Sequence, residues 1–245
     1  MTGTTDTTDT TNSTGARAAT VERYSTLARI AVAGGTPIDT CDPGNADCYG
    51  AARYDPDQLQ DVPDAARRAG LGCGNPHAVA EIAPGDTVLD LGSGGGLDLI
   101  VSTRRTGPAG RVYGLDASPE MLALARTNLT EAGVTNATLL DGHIEDIPLP
   151  DHSVDVVISN CVVNLSTDKA AVLAEAHRVL RPGGHLGITD IVADRPQPQA
   201  QPNGHILTVD EYRDALATAG FAEIDIAVTH HLGPRLGSAI IRASR

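Results

Sequence analysis

Reactive side chains are few in this chain of 245 residues. Four cysteines occur, Cys41, Cys48, Cys73 and Cys161, with a single lysine, Lys169, and no tryptophan. Schiff-base chemistry and base-stacking platforms therefore lose their usual residues. Cys161 stands in Ser159-Asn160-Cys161-Val162-Val163-Asn164, directly after an apolar, β-branched run. Cys73 stands in Leu71-Gly72-Cys73-Gly74-Asn75-Pro76. Two thiolates from separate segments, brought together, would make a soft-ligand site suited to a thiophilic element and poor for hard cations. The plainer alternative stays open for each: a free cysteine is also a small buried hydrophobe.

A second constellation is Val88-Leu89-Asp90-Leu91-Gly92-Ser93-Gly94-Gly95-Gly96-Leu97-Asp98. A strand ends, and a glycine-rich turn lets the backbone approach a ligand where side chains would collide. Asp116 closes the next strand, where a carboxylate can accept both hydroxyls of a ribose. A dinucleotide fingerprint wants its third glycine at position 97, but Leu97 is there. Asp141-Gly142-His143-Ile144-Glu145 follows the third strand and forms a further candidate wall.

The elements that must position these residues follow from periodicity. Short apolar runs starting at Thr87, Arg111, Ala137, Val154 and His185 read as strands. Helical periods lie between them, one opened by Ser118-Pro119 and one closed by Pro182-Gly183-Gly184. Thr208 and Glu211 form a capping-box pattern before a last helix, and two late strands finish the chain. Such alternation predicts an α/β fold with a doubly wound, mostly parallel sheet, and ligands at the carboxyl ends of its strands. Residues 84–245 are assigned to that domain and residues 20–83 to a small helical lobe capping it. The Thr/Asp-rich tract 1–19 has nothing to bury and reads as a disordered tail.

Composition removes several partners. Eighteen basic against 31 acidic residues give a net charge of −13 and a pI near 4.8. Nucleic acids and anionic membranes would meet repulsion, so a small-molecule substrate is expected. No stretch approaches the roughly 20 apolar residues of a membrane span, and the first residues lack a secretory pattern. A cytoplasmic location follows as the expectation, where thiols stay reduced. The oligomeric state is open, with a monomer favoured.

The spacing Asp90-x-Gly92-x-Gly94-x-Gly96 resembles the first motif of the Rossmann-like class I methyltransferases. The order of elements, with seven strands and a late antiparallel pair, is similar as well. The resemblance implies S-adenosylmethionine as cofactor, with Asp90, Gly92, Ser93, Gly94, Gly96, Asp116 and Ala117 around its methionine and ribose parts. His143 and Ile144 would stand by the adenine, with the contact resting on backbone groups and Ile144. Asn160 would stand beside the methyl group.

More narrowly, LGCGNP, DLGSGGGLD, GLDASPEML, GHIEDIPLPDHSVDVVISNCVVNLSTDK and EAHRVLRPGG resemble the arsenite S-adenosylmethionine methyltransferases, over about residues 69–192. That family implies trivalent arsenic as a substrate held by the Cys73 and Cys161 thiolates, with an external thiol as reductant. Arsenic keeps a lone pair that can attack carbon without losing a proton, so no general base is needed. Cys48, or else Cys41, matches the family's N-terminal cysteine, which exchanges or reduces the arsenical through a disulfide with the loop thiol. The chain departs from the pattern after the fifth strand, where an insertion carrying another arsenic-ligating cysteine is missing. Either Cys41 or Cys48 completes the site, or two thiols and an external one suffice, or the substrate is no longer arsenite. His205, His230 and His231 could supply nitrogen, although histidines at loops and strand ends are usually solvated. Two other readings compete: an S-adenosylmethionine-dependent enzyme acting on a small organic acceptor, and a module that binds a metalloid or the cofactor without transfer.

Overall fold

A computed structural model describes residues 8–35, 50–196 and 205–245, with side chains from residue 15 onward. The lobe comprises α1 (Thr8–Val32), a 3-10 turn (Gly50–Arg53), α2 (Pro56–Leu59), α3 (Asp64–Arg68) and a second 3-10 turn (Pro76–Ala78). Then β1 (Thr87–Leu91), α4 (Leu97–Thr106), β2 (Arg111–Asp116), α5 (Pro119–Glu131) and β3 (Ala137–Asp141) alternate. They are followed by β4 (Val154–Asn160), α6 (Lys169–Val179), β5 (Leu180–Ala193), α7 (Val209–Ala219), β6 (Ala222–His231) and β7 (Leu236–Ser244).

One seven-stranded sheet runs in the order β3-β2-β1-β4-β5-β7-β6. The first five strands are parallel, and β7 runs antiparallel to both β5 and β6. Both faces of the central strands are covered. Leu89 and Leu91 of β1 pack towards α6 and α7 with Leu173, Leu216 and Tyr212, while Val88, Val156 and Ile158 pack on the other face with Leu99 and Ile100 of α4. Each such side chain, fully buried, contributes about 1.5–3 kcal/mol. That two-sided burial is why the strands read as continuous apolar runs. The order reverses between β1 and β4, whose ends lie in register at Leu91 and Ser159. The glycine-rich turn and Asn160-Cys161 therefore emerge side by side at the switch point.

The helix caps agree with the sequence. Ser118 accepts a hydrogen bond from the Met121 amide at 3.2 Å, and Thr208 and Glu211 form both bonds of their capping box. Two expectations are corrected. Helix α1 begins at Thr8, inside the tract expected to be a disordered tail, of which residues 1–7 lie outside the described part. Its later turns supply the anchoring that the Thr/Asp-rich text lacks: Leu27, Ala28 and Ala31 are buried against Met121 and Leu124 of α5. Strand β5 starts at Leu180, so Pro182-Gly183-Gly184 lies within it. A register irregularity between Val154 and Val156 accommodates those residues.

Candidate active site at the carboxyl ends of β1 and β4

The turn after β1 is left-handed at Gly92 (φ 72°) and Gly94 (φ 51°). A Cβ on Gly92 would lie 2.5 Å from the Val162 side chain, so a larger residue would force apart the loops after β1 and β4. A Cβ on Gly94 would meet nothing within 4 Å. Gly94 donates its amide to Asp116 Oδ2 at 2.8 Å, and Ser118 donates to Asp116 Oδ1 at 2.8 Å, so the carboxylate that ends β2 also shapes the turn. These groups border a cleft of about 1110 Å³, including its open mouth. Its remaining walls are Gly142–Glu145, Asn160–Val162, Leu71-Gly72 and Tyr54, with Arg17, Thr20, Val21 and Tyr24 of α1 across the top. Arg17 Nε lies 3.4 Å from Glu145, which accepts the Ser166 hydroxyl at 2.5 Å.

The two cysteines of interest meet. Cys73 and Cys161 are joined as a disulfide, with Cα atoms 5.9 Å apart across 88 residues of sequence. Cys161 lines the cleft and Cys73 lies behind it, fully buried. Cys161 adopts φ 62°, unusual for a side chain with a Cβ, and donates its amide to the Thr189 carbonyl at 2.8 Å. The Cys73 carbonyl accepts the Ser238 hydroxyl at 3.0 Å.

Asn160 fastens the Cys73 loop to the end of β4. Its Oδ1 accepts from Thr189 Oγ1 at 2.8 Å and from the Gly74 amide at 3.3 Å. Its Nδ2 donates to the Gly74 carbonyl at 2.9 Å and to the Tyr54 hydroxyl oxygen at 3.0 Å. The fit requires Gly72, since a Cβ there would lie 2.1 Å from Asn160 Cγ. Tyr54 in turn donates its hydroxyl to Asp98 Oδ1 at 2.6 Å.

Charge at the strand ends is one-sided. Burial, then the negative charges of Asp98 and Asp116, push the Asp90 carboxyl well above the usual carboxylate range. Burial also raises Asp116, against the lowering effect of amide bonds from Ser118, Gly94 and Ala117. Burial, followed by Asp98, raises the Tyr54 phenol. A cationic ligand in the cleft would relieve all three. Ser93 Oγ, on the cleft wall, is buried with no partner among the described residues, which leaves a hydroxyl for a polar ligand; Asp90 Oδ2 is likewise unpartnered but lies beneath the turn. The open direction at Gly94 and this donor set fit S-adenosylmethionine.

Of the residues expected around a cofactor, Gly92, Ser93, Gly94, Asp116, Ala117, His143, Ile144 and Asn160 border the cleft. Asp90 and Gly96 do not: Asp90 is buried beneath the turn, and Gly96 packs on Ala125 where α4 begins. The disulfide joins Cys73 to Cys161 and not to an N-terminal cysteine, and Cys41 and Cys48 lie outside the described residues. His205, 3.3 Å from Glu211, and His230, 3.2 Å from Arg53, do not border the cleft, nor does His231. No group of three His, Cys, Asp or Glu side chains among the described residues is arranged to hold a metal ion. Tyr54, His77 and the α1 wall were missed, because the lobe's short helical patches, broken by turn signals, do not say which of its side chains face the sheet domain.

The profile of the family described as "Methyltransferase domain" matches residues 82–220. The crystal structure of an arsenic (III) S-adenosylmethionine methyltransferase from Chlamydomonas reinhardtii is 32% identical, with a TM-score of 0.68 over 77% of this chain and 72% of that one. The chain belongs to the arsenite methyltransferase family. The arsenite methyltransferase of Halobacterium salinarum is 45% identical over 183 residues, which is 71% of this chain and 46% of that protein. The chain thus spans less than half the length of the curated arsenite methyltransferases it matches. Its fold extends beyond the family: the cyclase SpnF superposes with a TM-score of 0.67 over 94% of this chain and 95% of its own, at 21% identity.

Proposed function

We propose that the chain is an S-adenosylmethionine-dependent methyltransferase that methylates trivalent arsenic, either arsenite or a methylated arsenical, held by the sulfurs of Cys73 and Cys161. The observation that carries this reading is the convergence of those sulfurs at the end of β4, with Cys161 on the cleft wall. Bound S-adenosylmethionine supplies an electrophilic methyl group on a positively charged sulfur. Asp116 would hold its ribose, the turn Gly92–Gly94 and Ser93 Oγ its methionine part, and Ile144 with the backbone at His143 its adenine. The negative charge of Asp98 and Asp116 favours a cation over its demethylated product.

Arsenic bound by two sulfurs keeps its lone pair, and attack on carbon requires loss of no proton, so the protein needs to orient and not to deprotonate. Asn160 and Thr189 keep the two loops in place, and Gly72 lets them approach. In the disulfide form the sulfurs are occupied with each other. Two external thiols open the pair by exchange, leaving as their own disulfide while Cys73 and Cys161 gain two electrons and two protons. Such a cycle suits a reducing compartment such as the cytoplasm.

The test is incubation with S-adenosylmethionine, trivalent arsenical and glutathione, following S-adenosylhomocysteine and methylated arsenic. Wild type should form both; Cys161→Ser should form neither, while its affinity for the cofactor stays within about twofold, less than half a kcal/mol. Full activity in Cys161→Ser would refute the thiolate site. Demethylated cofactor without methylated arsenic would indicate an organic acceptor.

A further inference from the structure

Asp98 is the second residue of α4 and part of the cleft wall, and its two oxygens have different surroundings. Oδ1 accepts the Tyr54 hydroxyl at 2.6 Å and lies 3.0 Å from His77 Nε2, an ion-pair distance at which the ring nitrogen is not aligned for a hydrogen bond. Oδ2 has one long contact, 3.4 Å from Asn160 Nδ2. His77 belongs to the turn Pro76–Ala78 on the loop that carries Cys73, and its side chain has no exposure. The turn is fixed independently of the ring: the His77 amide donates to Asn75 Oδ1 at 3.1 Å, and Arg105 donates to the His77 carbonyl at 2.7 Å. The ring therefore has freedom to serve Asp98. Against it stand Tyr54, with ring centroids 6.4 Å apart, and Asp98.

Burying an imidazole is costly, and an apolar side chain of similar size would fill the space without that cost. Neither ring nitrogen of His77 makes a hydrogen bond among the described residues, so the 3.0 Å approach of Nε2 to Asp98 is what distinguishes the ring from an apolar side chain. A carboxylate beside a ligand site has a matching problem, since it rotates unless one oxygen is held. We propose that His77 is a positioning residue of the cofactor site: with Tyr54 it holds Asp98 Oδ1, leaving Oδ2 for the positive charge of S-adenosylmethionine. The proposal rests on the reading of the cleft as that cofactor's site. It also makes the Cys73 loop a contributor to cofactor binding, since one segment supplies both the thiol and the imidazole.

Titration calorimetry with S-adenosylmethionine on the full chain tests it, with no turnover required. His77→Leu keeps the packing volume and loses the polar contact; His77→Gln restores a donor. His77→Leu should weaken binding about tenfold and His77→Gln by no more than about threefold, the order expected when one polar contact to a charged group is lost. Melting temperatures report folding, and if His77→Leu does not fold, Asp98→Asn should show the same tenfold loss. Wild-type affinity in His77→Leu, or in Asp98→Asn where that variant stands in, overturns the proposal; so does equal weakening in His77→Gln and His77→Leu. Wild type that fails to bind the cofactor removes the cofactor reading itself, whereas binding by wild type with an indifferent His77→Leu removes only the role of His77.

Discussion

Asp190 shows how one buried carboxylate ties the site to stability. It ends the stretch of β5 beside Cys161, accepts the Tyr212 hydroxyl at 3.1 Å and the Asn164 amide at 3.3 Å, and so anchors the turn that follows the cysteine. Burial raises its pKa to about 6, against the lowering effect of those bonds. Because the group ionises more easily in the unfolded chain, its contribution is fully present below about pH 4 and is lost as pH rises to about 6. The loss amounts to roughly 3 kcal/mol by linkage. Denaturant unfolding at pH 4 and pH 7 should show wild type declining relative to Asp190→Asn by that order; parallel pH profiles would contradict it. Asp190 was not legible in the sequence as a buried acid, nor was Tyr54 as the partner of Asp98 across 44 residues. Cys73 and Cys161 were legible because each sits in a motif at a strand end or strand-preceding loop, where direction follows from topology.

At the scale of elements, α1 is the piece whose attachment matters most for the cleft. It is held by Leu27, Ala28 and Ala31 on α5, by the 2.9 Å contact between the Ser25 and Ser118 hydroxyls, and by Arg68 Nε on the Ala31 carbonyl at 3.3 Å. Truncating a buried leucine costs about 2–5 kcal/mol. Leu27→Ala should therefore loosen α1 from the cleft before it affects the sheet. Hydrogen exchange should accelerate over Gly15–Val32 while β1 and β4 stay protected; uniform acceleration would mean that α1 belongs to the global unfolding unit. The strands were readable because both their faces are apolar. The extent of α1 was not, because its first residues are polar and its support comes from side chains on α5. The start of β5 was misplaced because Pro182-Gly183-Gly184 has the composition of a turn, yet pairing with β4 holds on both sides of it, at Leu180 and again from His185.

For the whole molecule, the disulfide is the covalent constraint that spans the most chain among the described residues. Closing a loop of 88 residues stabilises by roughly 4–5 kcal/mol in the chain-entropy picture. Reduction, or the paired change Cys73→Ser with Cys161→Ser, should lower the melting temperature on the order of 10 °C by scanning calorimetry. An unchanged melting temperature would mean that native strain cancels the gain. The doubly wound architecture was legible from strand and helix alternation alone. The pairing of the two sulfurs with each other was not, since sequence gives convergence at a switch point but not oxidation state.

The bond between Cys73 and Cys161 also turns the polypeptide from β1 through β4 into a covalent ring, closed behind the cleft wall. The exposed bend at Asp151-His152 lies inside that ring. A protease cutting there would leave two fragments travelling as one molecule on a gel until a reductant separates them. The same thiol exchange that opens this bond thus also determines whether a nicked chain stays in one piece.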